Sequence, residues 1–507
     1  MGLEVHIFLS TILPLFLFVF MIINIIWRSK TKNSNSKLPP GPKKLPLIGN
    51  IHHLGTLPHR SLAGLANQYG PLMHIQLGEL SCIVVSSPQM AKEVMKTHDI
   101  NFANRPHVLA AEVITYGNKS MSFSPHGTYW RQMRKICAME LLAPKRVESF
   151  RSIREEELLN LVKEISLNAG SPMNLSKKIH SLAYGITSRI AFGAKSKDQQ
   201  VYIDLMKDLS KVVAGFSLAD LYPSIGVLQV LTGIKTKVEK MHREIDRILE
   251  NIVTDHRNRI LETEAVGEEN GEDLVDVLLR LQKNSDLEHP LSDSIVKATI
   301  LDIFSAGSDT SSTTIDWAMS ELVKNPRVME KAQMEVRRVF DGKGYVEETS
   351  IHELKYLRSV IKETLRLHPP IALLLPRECS ERCEINRYEI PPKSKVIVNA
   401  WTIGRDPNYW IEAEKFYPER FLDSSIDYKG AEFQFIPFGA GRRICPGITF
   451  GIVNVEISLA NLLFHFDWKM AKGDMPEELD MTESFGLSVK RKQDLQLIPI
   501  IYHSATS

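Results

Sequence analysis

One cysteine stands in a loop whose composition suits chemistry. Cys445 lies within PFGAGRRICPG, residues 437–447, among three glycines and two arginines. Pro446 is a favourable first residue for a helix, and the residues after it carry a helical apolar pattern. The thiol is therefore expected near a helix N-terminus, where the helix dipole stabilises a thiolate. Such a thiolate can be a nucleophile, which needs a histidine partner, or a metal ligand. The loop leaves both open.

A second candidate group lies in the long helical pattern 292–323. It contains the stretch SAGSDTSSTT, whose glycine and hydroxyl residues are poor helix formers. Thr310 follows Ala306 by four residues, so both share a helix face, and the threonine hydroxyl can bond to the carbonyl of Ala306. Because Gly307 adds no side chain, the pattern predicts a notch that could hold a diatomic ligand. Close packing of small residues against a neighbour is the alternative.

Two further pairs have helical spacing. Glu363 and Arg366, in KETLRLHPP, are three residues apart, and alone such a pair is usually a surface ion bridge. Trp130 and Arg134, in YWRQMRKI, are four apart on one helix face. Alone, they indicate a core tryptophan beside a solvated arginine.

Taken together, these segments resemble the cytochrome P-450 family of haem-thiolate monooxygenases. The cysteine loop has the pattern F-x-x-G-x-R-x-C-x-G from Phe438 to Gly447, which is highly specific. The segments W-x-x-x-R, A/G-G-x-D/E-T, E-x-x-R and P-E-R-F, the last within FYPERF at 416–421, precede it in the family's order. The resemblance runs essentially from end to end.

The resemblance implies a role for each candidate residue. Cys445 would be the axial ligand of the iron of haem b, and its thiolate would favour O–O cleavage. Thr310 would orient dioxygen and water, and Asp309 would supply protons. The haem propionates would be bound by Trp130, Arg134, Arg377 and Arg443.

The resemblance also implies structural and substrate-binding residues. Glu363, Arg366 and Arg420 would form a buried cluster that steadies the core on the haem side. Loss of one member should prevent haem incorporation more than alter the chemistry. The substrate pocket would be lined by Ala306, Ile371, Leu375 and Phe485, which offer few hydrogen-bonding groups and suit a lipophilic substrate.

The elements that must position these residues are mostly helical. Apolar residues at three- and four-residue spacing predict helices over 155–167, 236–262, 292–323, 327–340 and 353–367, and strand-like runs occur at 72–77, 82–86 and 395–399. The fold class is therefore mainly α with a small β portion, and the resemblance implies the cytochrome P-450 fold. Since no linker divides the middle of the chain, residues 51–507 are expected to form one haem-thiolate catalytic domain.

The N-terminal segment has a different character. Residues 7–27 carry no formal charge, and as a helix they are long enough to cross a bilayer core of about 30 Å. No A-x-A site follows, so we interpret residues 1–30 as a single-pass anchor rather than a cleaved signal peptide. Residues 31–50 form a basic, proline-rich strap. By the positive-inside rule the catalytic domain lies on the cytosolic side, and the resemblance implies the endoplasmic reticulum membrane.

Composition limits the partners. Of 507 residues, 62 are Lys or Arg and 60 are Asp or Glu, a balance that gives no support for nucleic-acid binding. Five cysteines do not make a disulfide framework, and the CxxxC pair Cys379 and Cys383 has no second ligand pair nearby, so ordinary loop cysteines are favoured over zinc. No flavin or nicotinamide fingerprint occurs. NADPH and flavins would therefore act through a separate NADPH–cytochrome P-450 reductase.

The resemblance implies a reaction class. We expect an NADPH- and O₂-dependent hydroxylation of a lipophilic plant specialised metabolite, with a sesqui- or diterpene skeleton favoured. Hydroxylation or epoxidation of an indole alkaloid or a flavonoid is the alternative. A reductase-independent haem isomerase or dehydratase, or a haem-binding sensor without turnover, are rival classes.

Overall fold

The computed structural model describes residues 37–502 apart from 195–197, 267–271, 285 and 472–474, together with Leu15, Phe18 and Val19. Except for those three residues, the predicted anchor (residues 1–30) lies outside the described residues, as does the start of the predicted strap. Among the described residues, one helix is long and apolar enough to cross a membrane. That helix, Ile448–His465, is 78% buried within the protein, as a core helix is.

Helices are the main regular elements. The described α-helices are α1 (Pro58–Tyr69), α2 (Pro88–Lys92), α3 (Leu109–Ile114), α4 (Thr128–Ile136), α5 (Pro144–Ser149), α6 (Arg151–Leu167), α7 (Leu175–Phe192), α8 (Gln199–Val213), α9 (Leu218–Leu221), α10 (Val227–Leu231), α11 (Ile234–Val266), α12 (Leu274–Lys283), α13 (Asp293–Lys324), α14 (Pro326–Phe340), α15 (Lys355–Leu367), α16 (Ala400–Ile403) and α17 (Ile448–His465).

The strands are short and form small sheets. They are β1 (Leu72–Leu77), β2 (Leu80–Val85), β3 (Met173–Asn174), β4 (Arg377–Glu378), β5 (Cys383–Ile385), β6 (Tyr388–Ile390), β7 (Lys395–Val398), β8 (Phe466–Met470), β9 (Glu483–Ser484), β10 (Lys490–Arg491) and β11 (Gln496–Ile501). One sheet has the order β1-β2-β7-β4, and another has the order β3-β11-β8. The pairs β5-β6 and β9-β10 are antiparallel. Within the first sheet β2 and β7 run parallel, with Cys82 opposite Lys395.

The predicted long helices and strands are present, and their ends differ by a few residues. The largest differences are four residues, at the end of α11 and at the start of α6, which begins at Arg151 instead of residue 155. The side chain of Arg154 in its first turn is fully buried and donates to both carboxylate oxygens of Glu348, at 2.6 and 2.5 Å. The buried face of α6 therefore includes a charged residue, which an apolar pattern does not detect.

Helix α13 is at the centre of the fold. It packs against α7, α15 and α17. Every residue from Ser311 to Val323 is buried, so this half of α13 has no solvent face. A helix buried all round needs no amphipathic pattern, which is why polar and apolar residues mix there.

Candidate active site

Two neighbouring cavities bear on the site, with volumes of about 220 and 30 Å³. The cysteine loop borders the larger of this pair. Cys445 lines the larger cavity together with Ala306, Gly307 and Thr310 of α13. The structure therefore brings the thiol and the predicted notch to the same space.

The path of the loop requires glycine at one position. Gly441 has a φ of +69°, and a Cβ there would lie 2.0 Å from the backbone oxygen of Met95. An L side chain would meet both a strained backbone and a steric overlap. Four residues later, the backbone N–H of Cys445 donates to the oxygen of Phe438 at 3.0 Å, which closes the loop.

The start of α17 differs from the sequence expectation. The helix begins at Ile448 with Gly447 as its N-cap, so Pro446 lies outside it. The expected stabilisation of a thiolate by this helix end is also outweighed. Burial raises the pKa of the Cys445 thiol above its ordinary value, although the N–H of Gly447 and the charge of Arg134 act in the opposite direction. The protein alone does not favour the thiolate, whereas metal ligation deprotonates a thiol directly.

The notch in α13 has two parts. The hydroxyl of Thr310 donates to the backbone oxygen of Ala306 at 2.6 Å, as its spacing predicts. A Cβ on Gly307 would lie 2.9 Å from Cε1 of Phe450 in α17. Gly307 therefore has two roles. It borders the cavity, and it also lets α13 and α17 pack closely, which is the alternative weighed above.

The structure places Asp309 away from the cavity. Its carboxylate accepts hydrogen bonds from Lys490 Nζ and Ser488 Oγ of the C-terminal segment, and it does not line the cavity. Burial acts to raise the pKa of Asp309, but Lys490 and Ser488 outweigh it and hold the pKa below its ordinary value. Asp309 is thus an ion-paired carboxylate in this arrangement, next in sequence to Thr310 but not beside its hydroxyl.

The cavity has a strongly positive edge. It is lined by Arg105, Arg134, Arg377 and Arg443, and Asp302 is the one acidic residue among its described lining residues. Burial, together with repulsion by Arg377 and Arg134, lowers the pKa of Arg443 to about 9. Burial is likewise the main cause that lowers the pKa of Arg134 and Arg377. This edge therefore favours an anionic ligand.

Arg443 is held by backbone carbonyls. Its Nε donates to Ala103 at 2.8 Å, Nη1 to Met121 at 3.1 Å and Nη2 to Ser124 at 2.6 Å. Its guanidinium carbon lies 4.4 Å from the centroid of the Trp130 ring. The five N–H groups of a guanidinium are more than these three bonds use.

Arg105 belongs to this edge and sequence reasoning missed it. Its Nε donates to the oxygen of Ser122 at 2.9 Å, and Nη1 donates to Leu375 and Pro376 at 3.0 and 2.8 Å. The N–H of Ser122 in turn donates to Asp302 Oδ2 at 3.0 Å. Arg105 and Asp302 thus hold the backbone on either side of Ser122. The only sequence signal is an arginine before a proline, which is weak.

Arg377 is anchored through an acid shared with the cysteine loop. Its Nη1 lies 3.1 Å from Asp99 Oδ1, and its Nη2 donates to the oxygen of Ala440 at 2.9 Å. Asp99 Oδ2 accepts from the N–H of Arg442 at 2.8 Å and lies 3.2 Å from its Nη1. The buried carboxylate of Asp99 therefore links Arg377 to the loop that carries the cysteine.

The comparisons with known proteins agree with this site. The sequence model of the family described as Cytochrome P450 matches residues 39–497. The chain belongs to the cytochrome P450 family. It is 56% identical over 500 residues to Cytochrome P450 71D10 of Glycine max, covering 97% of this chain and 96% of that protein. It is 53% identical over 497 residues to Tabersonine 16-hydroxylase 2 of Catharanthus roseus, covering 97% of each.

A solved structure supports the fold. The cytochrome P450 of zebra fish, determined with abiraterone, has a TM-score of 0.73 at 23% identity. The match covers 89% of this chain and all of that one. The resemblance to the P450 family and its fold is confirmed, and the protein is a monooxygenase.

The site fits the haem b that the P450 family binds. Trp130 Nε1 is buried and has no hydrogen-bond partner among the described residues. A buried donor without a partner costs free energy. Trp130 lies at the edge of the cavity where arginines outnumber acids. Both features suit a ligand with two carboxylates. Trp130, Arg134, Arg377 and Arg443 would hold the propionates, Arg105 would join them, and Cys445 would hold the iron.

The E-x-x-R and P-E-R-F segments of this P450 meet in a buried cluster. Arg366 donates from Nε and Nη2 to the two carboxylate oxygens of Glu363, both at 2.7 Å, and neither side chain is exposed. Arg420 Nε donates to Glu363 Oε1 at 3.0 Å. The remaining donors of Arg366 reach the oxygens of Gly404 and Ala413 at 2.7 and 2.6 Å. The cluster therefore joins α15 to the segment before the cysteine loop.

The expected substrate residues divide between the two cavities. Ala306, Ile371 and Leu375 line the larger cavity. Phe485 does not, and instead lines the smaller one, which shares Ile371 with the larger. Asp302 lines the larger cavity and was not identified from the sequence. It lies four residues before Ala306 on the same helix face, a spacing that could have indicated it.

Proposed function

We propose that this P450 hydroxylates a terpenoid skeleton, according to R–H + O₂ + NADPH + H⁺ → R–OH + H₂O + NADP⁺. The observation that carries the proposal is the apolar lining of the cavity beside Thr310. The side chains there that cannot form hydrogen bonds include Ile303, Ala306, Ile371, Leu374 and Leu375. A substrate held by such a surface is held by shape and apolar contact, which suits a hydrocarbon skeleton.

The curated relatives support specialised metabolism as the setting. Plant relatives of this chain hydroxylate or epoxidise terpenoids and alkaloids. Their similarity covers nearly the whole length of this chain, so the pocket-forming segments are included. The choice of a terpenoid within that range rests on the apolar lining.

The residues around the site have distinct parts in the reaction. Bound haem supplies the oxygen-activating chemistry of the family. Thr310 donates its hydroxyl proton to the oxygen of Ala306, so its Oγ1 presents lone pairs on the cavity wall that can accept a hydrogen bond from water. Its hydrogen bond to Ala306 fixes that oxygen while leaving a lone pair free. The apolar wall excludes bulk water from the same space.

Electrons come from a separate reductase, as in the family. We expect NADPH–cytochrome P-450 reductase in the endoplasmic reticulum membrane, to which residues 1–30 would anchor this protein, with its catalytic domain on the cytosolic side. The docking face would include Arg131, Lys135 and Arg442, near the cysteine loop. Reversing the charge of Arg131 or Lys135 should raise the reductase concentration needed for half-maximal turnover, and an unchanged salt dependence would contradict this face.

One observation favours an alkaloid as a second candidate. Asp302 is an acid on the cavity wall, and a protonated amine would be a suitable partner for its carboxylate. However, Asp302 already accepts from the N–H of Ser122, so part of its hydrogen-bonding capacity is used.

Microsomes that contain this protein and a plant reductase would test both candidates. Sesqui- and diterpene hydrocarbons, indole alkaloids and flavonoids would be supplied in parallel, with and without NADPH, and products identified by mass spectrometry. A hydroxylated terpenoid that requires NADPH supports the first proposal. Turnover of an alkaloid alone, lost in Asp302→Asn, selects the second, and turnover without NADPH selects an isomerase or dehydratase. Cys445→Ala, which should lose all turnover, is the control.

A further inference from the structure

Two thiols outside the active site lie side by side. Cys379 follows β4, and Cys383 begins β5 in the neighbouring hairpin. Cys379 belongs to a buried apolar cluster, and Cys383 packs against that cluster. Cys379 Sγ also lies 3.0 Å from the oxygen of Glu381 and 3.9 Å from that of Ile390. Because Ile390 is the strand partner of Cys383, these contacts place the Cys379 sulfur beside the residue that pairs with Cys383.

The two thiols differ in exposure and acidity. Cys379 is fully buried, whereas Cys383 is half-buried. The neighbouring Cys379 thiol lowers the pKa of Cys383, and a contact with Asn101 acts in the same direction. The neighbouring Cys383 thiol, together with burial, raises the pKa of Cys379. Cys383 is thus the accessible and more acidic thiol, and Cys379 lies behind it.

The backbone around the pair is partly fixed and partly free. The N–H of Cys379 donates to Ser394 at 2.9 Å and its oxygen accepts from Lys393 at 2.7 Å. The residues between the thiols, 380–382, are exposed. The short connection can therefore adjust while Cys379 stays in place. A disulfide within so short a loop constrains the unfolded chain little, so it would be easily reduced.

We infer that Cys379 and Cys383 form a redox site that closes reversibly to a disulfide when the protein meets hydrogen peroxide. Peroxide is the two-electron oxidant. The Cys383 thiolate attacks one peroxide oxygen, the O–O bond breaks, and water leaves after taking up a proton, which gives a Cys383 sulfenic acid. Cys379 then attacks that sulfur and releases a second water. Two thiols and one peroxide thus give one disulfide and two waters, as in redox-sensing pairs of reducing compartments.

A metal site is a weaker explanation of the pair. Zinc needs four ligands, at least three of them from protein in known site types. Among the described residues, the one group of three close His, Cys, Asp or Glu ligands lies elsewhere, at His256, Asp273 and Asp276. Arg259 already pairs with both of those acids at 2.9 and 2.8 Å, and His256 Nε2 lies 2.9 Å from Asp273, so both carboxylates have partners without an ion.

Tryptic digestion can test the inference directly, because Arg382 lies between the two cysteines. Trypsin cleaves after Arg377, Arg382 and Arg387 and separates the thiols into peptides ECSER and CEINR. Purified holoenzyme would be treated with hydrogen peroxide, blocked with N-ethylmaleimide, digested and mapped by mass spectrometry. We expect the two peptides as one cross-linked species, two hydrogens lighter than their sum, which dithiothreitol separates. Two separately alkylated or overoxidised peptides would overturn the inference.

Two variants test the assigned order of attack. In Cys379→Ser the reaction should stop at the Cys383 sulfenic acid, which dimedone traps. In Cys383→Ser, dimedone labelling of Cys379 should be roughly tenfold lower, since that thiol is buried and less acidic. Equal labelling in the two variants would contradict the order. Cys82 is the matched control, because it is fully buried and should be alkylated only after denaturation.

Discussion

Glu363→Gln should destabilise this P450 more than a single charge removal on its surface. The Glu363 carboxylate accepts from Arg366 through two bonds of 2.7 Å, from Arg420 at 3.0 Å and from the N–H of Tyr417 at 2.8 Å. All four donors remain in the variant. An amide, however, has one acceptor oxygen and brings an NH₂ group that faces an arginine N–H. The buried guanidinium of Arg366 and the partly buried one of Arg420 then lose their common anion.

The expected loss of stability in Glu363→Gln follows from the burial of this ion pair. Neither Glu363 nor Arg366 is exposed, and breaking a fully buried ion pair costs about 3–5 kcal/mol. For a chain of this length the entropy of unfolding is about 1 kcal/mol/K, so the melting temperature should fall by about 3–5 °C. The loss is a large part of a typical total stability of roughly 5–15 kcal/mol. Since the cluster joins α15 to the segment before the cysteine loop, less of the protein should also retain haem.

The assay compares two variants by thermal unfolding and by the reduced carbon monoxide spectrum, whose band near 450 nm reports thiolate ligation. The control is Glu239→Gln, because Glu239 lies 4.0 Å from Lys235 in an exposed pair on α11. Exposed pairs contribute little, so the control should melt within about 1 °C of the unaltered protein. If Glu363→Gln melts as high as the control and keeps its full 450 nm band, the buried cluster is not the support we describe.

Three further changes should have separate signatures. Trp130→Phe keeps the ring under Arg443 but removes the buried donor, so haem transfer to apomyoglobin should be about 10–150-fold faster, corresponding to about 1.5–3 kcal/mol; unchanged transfer would mean that Nε1 does not bind a propionate. Thr310→Ala should keep its haem while product falls at least about tenfold and NADPH is diverted to peroxide, and Thr310→Ser should restore the coupling. Burial raises the pKa of Asp302 to about 6, so the folded protein binds a proton there between about pH 4 and 6 and gains stability as the pH falls. Relative to Asp302→Asn, the unaltered protein should therefore gain about 2.4 kcal/mol between pH 7.5 and pH 4, and a difference that stays constant with pH would refute this assignment.

The sequence was sufficient for several long helices and for the family because both depend on short-range patterns. Three- and four-residue spacing predicted α6, α11, α13, α14 and α15 but not α7 or α8, and the loop around Cys445 identified the family. The spacing of Thr310 and Ala306 also predicted their hydrogen bond, because its geometry is local to one helix turn. Such inferences need no knowledge of what packs against the segment.

The parts that sequence reasoning missed depend on distant segments. Arg105 reaches the site through carbonyls about 270 residues away, which no spacing rule reveals. Asp309 is next to Thr310 in sequence, but a helix turns about 100° per residue, and Lys490 binds it outside the cavity. The acidity of Cys445 is set by burial as well as by the helix end. Position in the chain could not predict these competing environments.

The parallel pairing of β2 with β7 affects how the chain folds while it is being synthesised. Val85 and Lys395 are separated by about 310 residues, which a ribosome needs roughly 15–60 s to synthesise. During that interval the early hairpin β1-β2 has one edge without its partner, and pairing across so long a separation is slow. The nascent chain should therefore depend on molecular chaperones until β7 emerges, and slower synthesis, which lengthens this interval, should increase aggregation.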